Sequence, residues 1–323
     1  MKRSVSLRSR TVAQFQRLAR WLICVLLVPF LTGCPDLSQV QQLAKTADAA
    51  KPGVAVIAAD FKGSCDRQNL YVHLPPGPPP NPPPTKACLN GDDLQKLGDN
   101  LAVEQGILLQ YLDTLGTLAG TDAAGFEKAA PSLNTSFKTA GFTTDQQQMA
   151  GSAGSLASDI TKIATLSYRK QKILEILKDA DPAVTHLTMG LADQVVAASD
   201  VTPGAVVASQ AEHGPSYFQL LSNEEDVLKS YYQIPLAKDP NSAAGTLLNV
   251  QYHNALDQLQ ARKAAAVAYR KLMISIGQAH SKLLAAAQNG NFDTASVKKL
   301  ASELSQPVSD MVTAIAALQK DTR

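Results

Sequence analysis

Aromatic and sulfur-bearing side chains are scarce in this 323-residue chain, which has one Trp, four Cys and five Met. The single Trp is Trp21, so the 290 residues left after removing the first 33 contain none. Familiar catalytic spacings are missing too. There is no His-Glu-x-x-His for zinc, no Gly-x-Ser-x-Gly elbow and no phosphate loop ending Gly-Lys-Ser/Thr. No Cys-x-x-Cys occurs, which excludes a thioredoxin-type motif. The five His, at 73, 186, 213, 253 and 280, stand at no metal-ligand spacing from one another. The sequence therefore assigns no catalytic residue, no metal ligand and no cofactor, and the expectation is a protein that is not an enzyme. Alternating strand patterns are nearly absent, residues 70–74 being the only stretch that looks like one. After residue 33 no apolar run is long enough to span a bilayer, which needs about twenty residues in a helix.

The start of the chain does carry a pattern. Lys2, Arg3, Arg8, Arg10, Arg17 and Arg20 occupy the first twenty residues with no acid among them. An eleven-residue apolar run from Trp21 to Leu31 follows, and then Leu31-Thr32-Gly33-Cys34. Basic, then apolar, then small is the order of a secretory signal peptide. At eleven residues, with Pro29 inside, the run is too short to remain as a spanning helix. The final four residues resemble the lipobox of bacterial lipoproteins. That resemblance covers the first 34 residues only. It implies cleavage before Cys34, a diacylglyceryl group on the Cys34 thiol, and a chain anchored stably on a membrane by two or more acyl chains. In that family an Asp directly after the Cys retains the protein at the inner membrane. Here Pro35 intervenes before Asp36, so the resemblance favours the outer membrane.

Removing the signal changes the charge. The whole chain has 30 basic and 28 acidic residues. Taking away the six basic residues of the signal leaves 24 against 28, a formal charge of −4. The basic pI of about 8.2 is thus a property of the signal, and no positive field argues for nucleic-acid binding.

With Cys24 in the signal and Cys34 as the lipid site, Cys65 and Cys88 remain. In an oxidising compartment two thiols most simply form one disulfide. Closing that loop would stabilise the fold by about 3 kcal/mol in the chain-entropy model. Between them lie residues 75–84, eight of the ten being Pro. Such a run favours polyproline II and joins neither helix nor central strand. It reads as a stiff surface loop tied at its base, with a ligand for an aromatic groove as the sharper alternative.

Beyond Cys88 the apolar spacing is helical. Leu94, Leu97, Leu101, Leu108, Tyr111, Leu115 and Leu118 recur at three and four, broken only by Glu104. Further helices are expected over about 123–138, from 144 or 145 to about 179, from Asp181-Pro182 as N-cap and first residue onward, and over 216–232. The longest runs from near Ser242 to about Gln288. Its seam is Leu248, Tyr252, Ala255, Leu259, Ala266, Tyr269, Met273, Ile276, Leu283 and Ala287, with Arg262 and His280 in the two remaining places. A final helix from Asp293 or Thr294 carries Val297, Leu300, Leu304, Val308, Met311, Ile315 and Leu318, with Pro307 as a candidate kink. Before Cys65, a helix over 37–50 and a second helix over 54–61 are expected, interrupted at Lys51-Pro52. The predicted fold is all-α: an elongated antiparallel helical bundle with coiled-coil-like long helices and a disulfide-closed Pro-rich loop. The organisation is a signal peptide over 1–33, an anchor segment over 34–89 and a helical domain over 90–323.

Several polar residues invite chemistry, each with a plainer reading. His280 on the seam could sense pH, but a hydrogen-bonded residue that fixes helix register is simpler. Arg262 is expected to lay its stem on apolar neighbours and send its charge to solvent. Glu224-Glu225-Asp226 could invite a cation; a helix-start dipole interaction is simpler. Residues 289–293 lack the ligand order of a calcium loop and read as a turn. The Gly- and Ser-rich 151–155 reads as a joint. Three functions compete: a non-enzymatic structural or interaction module whose long helices meet a protein partner or copies of itself; a small-molecule or lipid carrier with Tyr111, Tyr252 and Tyr269 lining a cavity; and a membrane-inserting helical protein.

Overall fold

The computed structural model describes residues 38–73, 91–119, 166–201, 215–289 and 294–320. Among the described residues all regular structure is helical: α1 (Ser38–Asp48), α2 (Lys51–His73), α3 (Gly91–Ala119), α4 (Leu166–Val195), α5 (Ala198–Val201), α6 (Tyr217–Lys238), α7 (Ala243–Gln288) and α8 (Thr294–Lys320). The all-α expectation holds. The helix expected over 123–138, the Pro-rich run and the Gly- and Ser-rich 151–155 lie outside the described residues; of the helix expected from 144 or 145 to about 179, only the part from Leu166 is described, and it continues to Val195.

The break at Lys51-Pro52 is real. α1 ends at Asp48, and α2 starts at Lys51 with Pro52 in its first turn, where no N–H is needed. Two other expectations are corrected. Residues 70–73 belong to α2 and form no strand. The alternation there is too short to outweigh a helix that already buries Ile57 and Phe61. Asp181-Pro182 does not start a helix, because α4 runs through Pro182. Pro182 and Lys178, whose carbonyl loses its partner, are both exposed, so the missing bond falls on the outer face of the helix. Asp181 is therefore available for a tertiary contact. α8 likewise continues through Pro307.

Local chemistry sets the starts of α6 and α7. Ser216 caps α6, its Oγ accepting from the Gln219 amide at 3.1 Å while Gln219 Oε1 accepts from the Ser216 amide at 3.3 Å. Asp200 accepts from Ser216 Oγ at 2.7 Å and from the Ala197 amide at 3.1 Å, tying α5 to the head of α6. Ser242 caps α7 through the Gly245 amide at 2.9 Å. A Cβ on Gly245 would lie 2.1 Å from the Asp239 carbonyl oxygen, so the tight α6–α7 turn admits only glycine there.

α7 is the central packing element, meeting α4, α6 and α8; α3 packs on α1, α2 and α4, α2 on α6, and α1 on α8. α7 runs antiparallel to α4, since Arg270 meets Asp193 and His280 meets Asp181. It runs antiparallel to α8 as well, through Lys271–Asp310 and Lys282–Glu303. α3 and α7 run in the same direction, because Gln105 reaches Tyr269 and Tyr111 reaches His280. Val40, Ile57 and Phe61 share one core with Leu101, Leu108, Leu191, Tyr269, Met273 and Met311. The helices of 38–73 thus pack in the same core as those of 91–320. Burying each large apolar side chain contributes about 1.5–3 kcal/mol.

On α3 Leu94, Leu101, Leu108, Tyr111, Leu115 and Leu118 are buried and Leu97 is half-buried, and on α8 Leu300, Leu304, Val308, Met311, Ile315 and Leu318 are buried, all in the predicted register. On α7 the register is right but the burial is uneven. Apart from Gly245, its buried residues begin at Leu259. The first third of α7 touches α6, with Tyr252 against Tyr232 at 5.5 Å between ring centroids. Leu247 and Val250 on its outer face stay 60% and 52% exposed.

Candidate functional site

Of the residues singled out in the sequence, Cys34 and Cys88 lie outside the described residues, and Cys65 sits in α2. What the fold assembles is a set of three buried polar clusters, each using one stretch of α7.

The first joins α2, α6 and α7. Arg67 lies two turns after Asp60 on α2 and grips its carboxylate with two bonds of 3.0 Å. Its Nε donates to Glu224 Oε1 of α6 at 2.9 Å. Arg262 of α7 donates to Asp60 at 3.3 Å, and the Tyr217 hydroxyl donates to the same carboxylate. The next residue, Gln68, donates to the Leu220 carbonyl at 2.9 Å. Two carboxylates and two guanidinium groups balance here, which is the condition under which buried charge is tolerated. Burial pushes the Glu224 carboxyl up, against the pull of Arg67. Burial also opposes the Arg67 charge, but Asp60 and Glu224 outweigh it and hold that group above its usual value. Burial and the Asp60 charge keep the Tyr217 phenol well above its ordinary range.

This cluster corrects two expectations. Arg262 does not send its charge to solvent; its side chain is only 13% exposed and turns inward to Asp60. Glu224-Glu225-Asp226 does not sit at a helix start, since α6 begins at Tyr217. Glu224 belongs to Arg67, while Glu225 pairs with Lys229 and Lys263. These two acids are placed by cations on neighbouring turns and helices, and the macrodipole falls off within the first turn. Asp60, Arg67 and Tyr217 were not anticipated. The only sequence signal was the seven-residue spacing that puts Asp60 and Arg67 on one face of a helix.

The second cluster joins α3, α4 and α7. Glu104, the acid that interrupts the α3 seam, is 3% exposed and accepts from Gln194 at 3.0 Å. Gln105 donates to the Tyr269 hydroxyl at 2.9 Å, and Arg270 donates to Asp193 at 3.2 Å. Burial raises the Tyr269 phenol far above its ordinary value. The third cluster is a chain. His280 Nδ1 donates to Asp181 Oδ1 at 2.9 Å, because a carboxylate only accepts; Nε2 then accepts from the Tyr111 hydroxyl at 2.7 Å. Ser281 donates to the same Asp181 oxygen at 2.9 Å. Burial lowers the His280 imidazole, with Asp181 opposing. His280 is 1% exposed and Tyr111 7%. The order Asp–His–hydroxyl joins three helices, its His280 and Tyr111 members buried and Asp181 partly exposed.

Among the described residues no group of three or more His, Cys, Asp or Glu could hold a metal ion. Nor is any described helix long and apolar enough to cross a membrane. No family model, curated protein or solved structure matches this chain. What the protein does is therefore read from its own residues.

Proposed function

We propose that this protein is a bacterial envelope lipoprotein, lipidated on Cys34 and held at a membrane, with the outer membrane favoured, and that its helical body is a non-enzymatic structural or interaction module. The observation that carries this reading is Leu31-Thr32-Gly33-Cys34 at the end of an apolar run preceded by six basic residues and no acid. Under it the body is an elongated antiparallel bundle, coiled-coil-like along its long helices, with a Cys65–Cys88 disulfide closing the Pro-rich loop. The three buried clusters support the mechanical part. Balanced polar contacts favour one register for the five helices they join, as suits a rigid spacer better than a deformable pocket.

The carrier reading draws no comparable support. Tyr111 and Tyr269 are spent on His280 and Gln105 in the core, and Tyr252 packs on Tyr232. The membrane-inserting reading has no described helix long and apolar enough to cross a membrane to draw on.

The test is the intact mass of the protein extracted from envelopes, alongside a Cys34→Ala form. Acyl chains on an amino-terminal Cys34, with the variant released to the soluble fraction, are expected. An unmodified Cys34, or equal membrane retention of both forms, would sink the proposal. Crosslinking in intact cells then identifies what the anchored form holds.

A further inference from the structure

Five helix ends meet at one end of the body. α1 near Gln41 and Ala44 lies against Gly116 in the last turn of α3. Tyr111 of α3 bonds His280, which puts the end of α3 level with the last turns of α7. Lys282 pairs with Glu303, so the start of α8 is level with them too. Asp181 meets His280 on an antiparallel neighbour, so the turns of α4 before Asp181 point the same way. The four residues from Cys34 to the start of α1 at Ser38 span at most about 14 Å, so an acyl group on Cys34 would hold this end at the membrane.

The charge at that end is one-sided. In α1, α3, α4, α7 and α8, the nine residues of each helix nearest this end hold seven basic residues and a single acid, Asp113. The basic ones are Lys45 on α1, the Arg169-Lys170-Gln171-Lys172 stretch of α4, Lys282 on α7, and Lys298 with Lys299 on α8. Lys45, Lys298 and Lys299 are exposed, and Lys282 holds the exposed Glu303. With the connecting stretches 35–37, 120–165 and 289–293 included, ten basic residues stand against seven acidic, which leaves 14 against 21 for the rest of the chain after residue 33. At the opposite end, the last nine residues of α2 and α6 and the first nine of α3 and α7 hold three basic and four acidic. Helices ordinarily gain from acids in the first turn, yet the first turns of α1, α4 and α8 have none. Three helix N-termini against two C-termini therefore add to the positive side of this end.

We infer that this end of the bundle docks on a bilayer surface bearing anionic phosphate headgroups, with Lys45, Lys298 and Lys299 among the cations that meet it; its place beside the anchor rests on the lipid-anchor reading. Each cation close to an anionic membrane strengthens attachment about fivefold. The surface field fades within a Debye length, about 10 Å at 0.1 M salt, so it acts on this end and not on the length of the body. The more acidic remainder is turned away from the same surface. The bundle therefore stands on end, and the α6–α7 turn is carried about 65 Å from the lipid by the 46 residues of α7. Acyl chains supply the anchoring, and the basic end supplies the orientation.

The experiment uses residues 34–323 with Cys34→Ala, a chain that keeps every described helix and carries no acyl group. It is sedimented with phosphatidylcholine vesicles made with and without phosphatidylglycerol. Binding to the anionic vesicles about tenfold stronger or more is expected at about 0.1 M salt, and its loss at about 1 M, where the Debye length is about 3 Å. Lys298→Gln together with Lys299→Gln should weaken that binding about tenfold, and adding Lys45→Gln should weaken it further. These lysines are exposed, so helix content and the midpoint of thermal unfolding stay unchanged. Lys238→Gln, exposed at the opposite end, should bind as the parent does. Equal binding to both vesicles, binding to neither, undiminished binding by the Lys298→Gln, Lys299→Gln form, or equal weakening by Lys238→Gln would overturn the inference. The intact mass of the extracted protein reads the anchor separately. Lysine-dependent binding with an unmodified Cys34 upholds the surface while the anchor reading fails; an acylated Cys34 with no preference for phosphatidylglycerol does the reverse.

Discussion

Replacing Arg67 with Met is the sharpest probe of the energetics inside the body. The Arg67 side chain is 23% exposed, whereas the Glu224 side chain it holds is 5% exposed. Removing the guanidinium leaves Glu224 buried with a charge and no strong donor, while Asp60 keeps Arg262 and the Tyr217 hydroxyl. Breaking a fully buried pair costs about 3–5 kcal/mol. Partial solvent access to Arg67 allows some rehydration, so the expected loss is about 2–3 kcal/mol. At about 2–4 °C per kcal/mol for a large domain, this lowers Tm by roughly 4–12 °C. The decisive measurement is a double-mutant cycle with Glu224→Gln, followed by urea unfolding monitored through helix content. Each single change destabilises, and the pair together costs less than their sum by about 1–3 kcal/mol. An Arg67→Met form within about 0.5 kcal/mol of the parent, or a strictly additive cycle, would refute the claim that these residues act as one buried unit.

Two further outcomes follow from the same packing. The folded state holds His280 neutral below its usual titration range, whereas the unfolded chain takes up a proton near pH 6.5. Its contribution is complete above pH 6.5 and declines as the pH falls, with a slope of at most about 1.4 kcal/mol per pH unit. His280→Gln should flatten the loss of stability between pH 7.5 and pH 5 measured by urea unfolding, and an identical pH dependence in both forms would exclude the role. A Cβ on Gly116 would meet the Ala44 Cβ at 2.4 Å, so Gly116→Ala forces α1 off α3 and should cost about 1–3 kcal/mol. A variant of unchanged Tm would show that α1 is not seated as described.

Much of the body was legible because helix periodicity is a local property. The positions of Leu94, Leu101, Leu108 and Leu115, and of Leu300, Leu304, Met311 and Ile315, repeat at helical spacing, and the structure buries all of them. Serines at 216 and 242 marked helix starts because their hydroxyls satisfy amides three residues away. Where a local rule misled, a tertiary contact or solvent exposure had outweighed it. Pro182 stays inside α4 on an exposed turn, and Asp181 is occupied by His280 and Ser281. Glu104 looked like a fault in an apolar seam, yet α4 brings Gln194 to it.

The sequence by itself determined the class of the chain: helices, their apolar faces, the basic-then-apolar start and the Leu-Thr-Gly-Cys that motivates a lipid anchor. Each of these depends on residues within a few positions of one another. Only the tertiary structure decided that Asp60, Arg67, Tyr217, Glu224 and Arg262 form one cluster, that Tyr111 and Asp181 meet at His280, and that the first third of α7 stands clear of the core. Asp60 and Arg262 are separated by 202 positions. No periodicity carries information over that distance. It is the packing of three helices, driven by buried apolar area, that brings those charges together and leaves Leu247 and Val250 exposed.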